Sequence, residues 1–223
     1  MRCSFDRSVI ASRSRRAGWR PLSDAECALA SRVFGVSLDP ERVRLYGHGW
    51  LNVARVPMAP FGQLYFPRDW YCRDFAVQPL PDSAVASGLR LFNTFVHELV
   101  HAWQYQNGCP VCWRGGLIVV TRALRLRREP YHYRLDPAAT LGDYGLEQQA
   151  SLIADYVTLA ERPGDPRLWQ VLVRDNVSLF EAGTRYSGRD EWLARYERVL
   201  APLRETPQAF CGRVEWLGRL RSR

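Results

Sequence analysis

Lysine is absent from this 223-residue chain; all 31 basic residues are arginine, set against 23 acidic residues for a net charge of +8. Arginine presents planar forks that fit carboxylates, phosphates and anionic polymers, where lysine would offer compact point charges. These arginines are scattered along the whole chain, with Arg122, Arg125, Arg127 and Arg128 the densest group. No nucleic-acid module surrounds them, so no nucleic-acid partner is expected. Also missing is any run of eighteen apolar residues, which excludes a membrane-spanning helix. The N-terminus lacks a long apolar core as well: after Met1 and Arg2 comes only a brief apolar patch, then Arg13, Arg15 and Arg16. It does not read as a signal peptide. Synthesis in the cytoplasm is expected, and any work outside it requires a route other than a conventional leader.

Cysteines are few and mostly isolated: Cys3, Cys27, Cys72, Cys109, Cys112 and Cys211. Only Cys109-Pro110-Val111-Cys112 has a suggestive spacing, and a structural zinc site needs a second such pair, which the chain lacks. Buried or loop thiols are expected, or a disulfide in an oxidising compartment. There is no internal repeat and no low-complexity linker. Eight Trp and ten Tyr exclude a disordered composition. The simplest organisation is a flexible arginine-rich arm over 1–20, then one domain over 21–223 with a helical C-terminal part.

Of the four histidines, two stand together. In the stretch from Leu91 to Gln104, apolar Leu91, Phe95, Val96, Leu99, Val100 and Trp103 recur at helical spacing, so this is a largely buried helix. A core helix has no packing reason to carry His97, Glu98 and His101 at its centre. Residues four apart share a face, so both imidazoles can aim at one point. This is the His-Glu-x-x-His arrangement: two zinc ligands with a glutamate beside them as general base. Burying three ionisable groups costs several kcal/mol unless they are paired, and a metal removes that objection.

A catalytic zinc site takes a third protein ligand and leaves one position open. No third histidine follows closely after His101, which argues against the metzincin pattern. The candidates are Glu147, His132, Asp143 and Asp155, and Glu147 is preferred. It lies in the first turn of a well-patterned helix and faces the same side as the small Ala150, Ser151 and Ala154. Glu98 is then the catalytic base. Tyr133, His132 or Tyr144 could stabilise an oxyanion, with Tyr133 and His132 taken as the site candidates. Asp143 and Asp155 are available to orient the ligand imidazoles.

Other elements frame this helix. Ser23 and Glu26 form a capping box for a helix that stops at Gly35. Residues 43–46 and 62–67 read as short strands. The second, arriving just before the metal helix, is expected to form a cleft edge to which an extended substrate adds. His48, between two glycines, is a turn residue. A loop over 69–87 leads to the central helix, expected from near Leu89 to Asn107-Gly108. The apolar piece 117–124 is helix or strand, and 129–135 alternates weakly. Helices are expected from Leu146 to about Leu159, over 166–180 and over 189–203, with an amphipathic basic tail at 213–221.

His97-Glu98-Leu99-Val100-His101 followed by Gln104, with Glu147-Gln148-Gln149-Ala150 on a later helix, resembles a gluzincin-type zincin. Further pieces are similar to the Vgr-related proteins of proteobacteria: Pro21-Leu22-Ser23, Phe34-Gly35, Gly62-Gln63-Leu64-Tyr65-Phe66 and Asp143-Tyr144-Gly145-Leu146-Glu147. The resemblance implies an α+β, zincin-like fold, helix-rich with a small mixed sheet beside the metal helix, and a Zn2+ cofactor. It also implies a link to type VI secretion, since a similar metallopeptidase region extends some VgrG spike proteins as an antibacterial effector acting in the target periplasm. The expected function is a secreted zinc metallopeptidase that cuts peptide bonds in protein or cell-wall peptide, with a VgrG-type spike and an immunity protein as partners. The rival is a catalytically silent, zinc-stabilised adaptor domain of a secretion spike. One departure concerns the position four after Glu147, where many gluzincins carry Asp and this chain has Ser151. Asp155 lies roughly 80° around that helix from Glu147.

Overall fold

The computed structural model describes residues 18–77, 85–111, 131–162 and 188–205. The expectations for 1–17, 117–124, 166–180 and 213–221 lie outside the described residues, as do Cys112 and the arginine cluster at 122–128.

Among the described residues, three short strands and four α-helices make up the frame. Strand β1 (Trp19–Pro21) pairs antiparallel with β2 (Arg44–Tyr46), and β2 pairs parallel with β3 (Leu64–Tyr65). Trp19 and Arg20, expected at the end of a flexible arm, are therefore strand residues. Pro21 closes an edge strand, where its missing N–H leaves no ladder bond unmade. Alternation sends Leu45 and Leu64, register partners, inward. The outer edge of β3, expected to receive substrate, is already paired. Tyr65 N–H donates to Met58 O at 2.8 Å and Met58 N–H donates back at 3.1 Å.

Helix α1 (Asp24–Phe34) starts on the expected capping box, with Glu26 N–H donating to Ser23 Oγ at 3.1 Å and Ser23 N–H to Glu26 Oε2 at 2.8 Å. It ends at Gly35, whose φ of 57° suits glycine. Glu26 does more than cap. Fully buried, it also takes both arms of the Arg20 guanidinium at 2.6 and 2.8 Å and the Phe75 N–H at 2.9 Å. One carboxylate thus joins β1, α1 and the loop before the central helix. The Cys72 thiol beside it is pushed up to about 12, first by burial and then by the Glu26 charge.

The central helix α2 (Val85–Gln106) begins a turn earlier than its apolar period indicated. Its N-terminal half meets the sheet through aromatic packing, Phe66 on Phe75 at 4.5 Å and Phe75 stacked on Phe95 at 4.8 Å. Its C-terminal half meets α1: Trp103 stacks on Phe34 at 5.6 Å and donates from Nε1 to Ser37 Oγ at 2.9 Å. On the next side lies α3 (Leu146–Glu161), apposed along its length. Ala150 and Ala154 on α3 are fully buried, and their small side chains suit this close approach. Apolar residues surround α3 because α4 (Arg189–Glu205) covers its far side with Trp192, Tyr196 and Val199. The 131–135 segment, weakly alternating in sequence, forms no strand. No described helix is long and apolar enough to cross a membrane.

Candidate metal centre

Helical spacing on α2 and the start of α3 bring three donor atoms together. His97 Nε2 and His101 Nε2 lie 3.1 Å apart, their rings 85° from parallel. Glu147 Oε2 is 3.2 Å from the first and 3.1 Å from the second. Glu147 sits in the first turn of α3, where the helix dipole favours a negative charge. The turn itself is fixed by Gly145 N–H donating to Gln148 Oε1 at 3.0 Å, while Gln148 Nε2 donates to His132 O at 2.6 Å.

This triangle tests whether a metal fits. A hydrogen bond needs a proton on one of its two atoms, not on both or neither. With Glu147 ionised, as its lowered pKa requires, each of the three touching atoms is either a donor or an acceptor, so the rule cannot be met on every side and one contact sets donor against donor or lone pair against lone pair. A cation at the centre removes the conflict, because all three atoms then present lone pairs to it. The spacing agrees as well, since tetrahedral zinc with bonds of about 2.0–2.1 Å separates its ligand atoms by roughly 3.3 Å. The His97, His101 and Glu147 cluster is the donor set that such a site requires.

Electrostatics follow from the packing. Burial favours the neutral form of His101, but Glu147, and then Glu98, outweigh it and push the imidazole up to about 9. Burial would likewise raise Glu147, yet His101 and His97 hold it well below the usual carboxylate range. Glu98 is raised by burial, opposed by His101 and His97. Only 6% exposed, it has one oxygen, Oε2, with no hydrogen-bond partner among the described residues.

The remaining candidates are distributed differently. Tyr133 is buried, and its hydroxyl donates to Asp155 Oδ2 at 2.5 Å and lies 2.7 Å from the Tyr196 hydroxyl. Asp155 also receives Asn93 Nδ2 at 2.9 Å. Asp143 accepts from Thr140 N–H and Oγ1 at 2.8 and 2.9 Å, capping the turn before α3. The acceptor on a ligand imidazole comes instead from Gln104, whose Oε1 is 2.8 Å from His101 Nδ1. Tyr144 donates to Arg134 O at 2.7 Å, and His132 is partly buried. His48 packs on Tyr46 and Tyr65. Sequence reasoning passed over Tyr131, whose ring lies 5.8 Å from that of His97. Its only signal was its place in the aromatic run that includes His132 and Tyr133. Cys109, just past α2, is disulfide-bonded, with its partner outside the described residues.

Helices, small mixed sheet and His-His-Glu cluster together define a helix-rich α+β domain with a zincin-like metal site. Comparison with known proteins narrows this class. No protein-family model matches the chain. Over 140 residues, 61% of its length, it is 36% identical to the type VI secretion system spike protein VgrG2b of Pseudomonas aeruginosa. The match takes in 13% of that much longer protein. Among solved structures the chain is similar to the effector domain of the same VgrG2b, with a TM-score of 0.55 and 29% identity. That likeness covers 73% of this chain and 90% of the effector domain. In sequence and in fold, the chain is VgrG2b-effector-like.

Proposed function

We propose that the chain is a zinc metallopeptidase of the type VI secretion effector kind, hydrolysing peptide bonds in protein or in cell-wall peptide. The observation that carries this is the convergence of His97, His101 and Glu147 beside a buried Glu98 oxygen that has no hydrogen-bond partner among the described residues. Bound zinc supplies Lewis acidity towards a carbonyl and brings the pKa of a water to about 7.

The chain's own residues do the rest. His97 and His101 hold the ion from one turn of α2, and Glu147 offsets one of its charges from α3. Glu98 takes a proton from the attacking water and delivers it to the leaving nitrogen. Oxyanion stabilisation is assigned to the 131–133 segment. Tyr131 lies against His97 and His132 is partly exposed, whereas the Tyr133 hydroxyl is engaged with Asp155 and Tyr196.

Likeness to a spike protein and to its effector domain supports a VgrG-type spike as carrier; delivery to a target periplasm and an immunity protein in the producer are proposed with it. The disulfide at Cys109 suits an oxidising compartment. The test is expression in a bacterial host with and without a periplasmic leader, beside the Glu98→Ala variant. Growth arrest is expected only with the leader and only with Glu98, while both proteins retain zinc. Equal toxicity of Glu98→Ala would favour a zinc-stabilised adaptor that does not turn over.

A further inference from the structure

The nitrogen of His101 that faces away from the cluster is governed by two buried glutamines and three backbone carbonyls. Gln149, fully buried, has its Nε2 3.1 Å from Leu141 O and 2.9 Å from Tyr144 O. Carbonyl oxygens only accept, so the atom between them is the amide nitrogen, and Gln149 Oε1 is turned towards Gln104. Gln104, also fully buried, sets its Nε2 3.0 Å from that oxygen and 3.1 Å from Leu146 O. Both of those atoms accept, so the Gln104 amide cannot be reversed either. Its Oε1 is left to face His101 Nδ1 at 2.8 Å, and an amide oxygen has no proton to give. The proton in that contact therefore sits on Nδ1. A neutral imidazole protonated at Nδ1 has its lone pair on Nε2, the atom that meets His97 and Glu147.

We infer that Gln104 and Gln149 form an amide relay that fixes the tautomer of His101 and ties α2 to the approach of α3, making both of them positioning residues for the metal. This rests on the metal-site reading above and extends it. The direction of the relay is set at its far end by the carbonyls of residues 141, 144 and 146, which lie just ahead of Glu147 in the chain. The backbone that presents the third ligand thus also prepares the second. A hydrophobic residue at 104 would remove the acceptor from His101. At 149 it would leave that acceptor in place and release the amide that orients it.

The test is zinc affinity of the full chain by chelator competition, for wild type, Gln104→Leu and Gln149→Leu, with thermal unfolding as the check on folding. Loss of a partner that orients a ligand typically weakens metal binding 10–100-fold, and Gln104→Leu is expected in that range. Gln149→Leu is expected near the lower end, roughly tenfold, although Gln149 bonds to no proposed ligand. In zinc-loaded wild type, nitrogen–proton spectra should show a slowly exchanging Nδ1–H on His101, and Gln149→Leu should shift that resonance and speed its exchange at unchanged thermal stability, a combination that general loosening of the core does not give. Wild-type zinc affinity in either folded variant would overturn the relay. If neither variant folds, the wild-type spectrum decides, and a His101 Nδ1 without a proton would overturn it. A wild type that takes up no zinc would overturn the metal-site reading and this inference with it.

Discussion

Glu26 and Glu98 are both buried carboxylates in one core, and their surroundings are opposite. Around Glu26 the fold supplies everything a carboxylate needs: two guanidinium nitrogens of Arg20, the Ser23 N–H that completes a helix cap and the Phe75 N–H. Around Glu98 it supplies two imidazoles, the repelling charge of Glu147 and, for Oε2, no hydrogen bond among the described residues. A buried polar group left unmatched costs about 1–3 kcal/mol, more when charged, and an unmatched carboxylate oxygen beside the His-His-Glu cluster is one that a reactant there would complete. The first carboxylate holds the architecture together. The second is held ready by it.

The contrast is sharpened by removing each carboxylate in turn. Glu98→Gln keeps shape and burial but cannot accept a proton. Peptide hydrolysis is expected to fall about 10²–10⁴-fold while zinc content and thermal stability hold. Glu26→Ala should do the reverse, losing about 3–5 kcal/mol in denaturant titration because Arg20 is left partly buried without its partner. Its surviving folded fraction should bind zinc normally.

Tyr133→Phe probes a third cluster, in which the hydroxyl serves Asp155. About 1–3 kcal/mol of stability should be lost, with the hydrolysis rate of the folded protein unchanged; a rate loss larger than tenfold would return Tyr133 to the chemistry.

The most gradual expected effect is a slope with pH. In metal-free protein the His101 pKa is raised from 6.5 to about 9. Its contribution to stability is therefore complete below about pH 6.5 and disappears as pH rises through about 9. The lowered Glu147 makes its contribution above about 4.5 and loses it in acid. Between pH 6.5 and 9 the metal-free protein should thus lose stability with rising pH, on the order of 1 kcal/mol per pH unit, where a zinc-loaded sample does not. Zinc uptake at pH 7 should release protons, measurable by calorimetry in buffers of different ionisation enthalpy.

The sequence already exposed the parts of the site that depend on local periodicity. Four-residue spacing placed His97 and His101 on one face of a helix whose other positions are apolar, and helix phase brought Glu147 to the side of Ala150 and Ala154. Both inferences need only the 3.6-residue repeat. The two cap signals around α1, Ser23 with Glu26 and then Gly35, were equally local. What stayed hidden depends on chain segments that meet only in the folded state. Arg20 looked like part of an arm because its partner, Glu26, gains its importance from burial. The outer edge of β3 looked open because Met58 gives no strand signal. Asp143 and Asp155 were natural choices to orient an imidazole, yet the residue bonded to His101 is a neutral amide three positions further along its own helix. Gln104 and Gln149 carry no charge or motif, and their role appears only once α2 and α3 are side by side.

Zinc K-edge X-ray absorption on the purified, zinc-loaded chain tests the centre of this account most directly. One zinc per chain is expected, with nitrogen and oxygen neighbours only, at about 2.0–2.1 Å, and outer scattering from two imidazoles. A sulfur shell at about 2.3 Å, or fewer than two imidazoles, would place the ion elsewhere and contradict it.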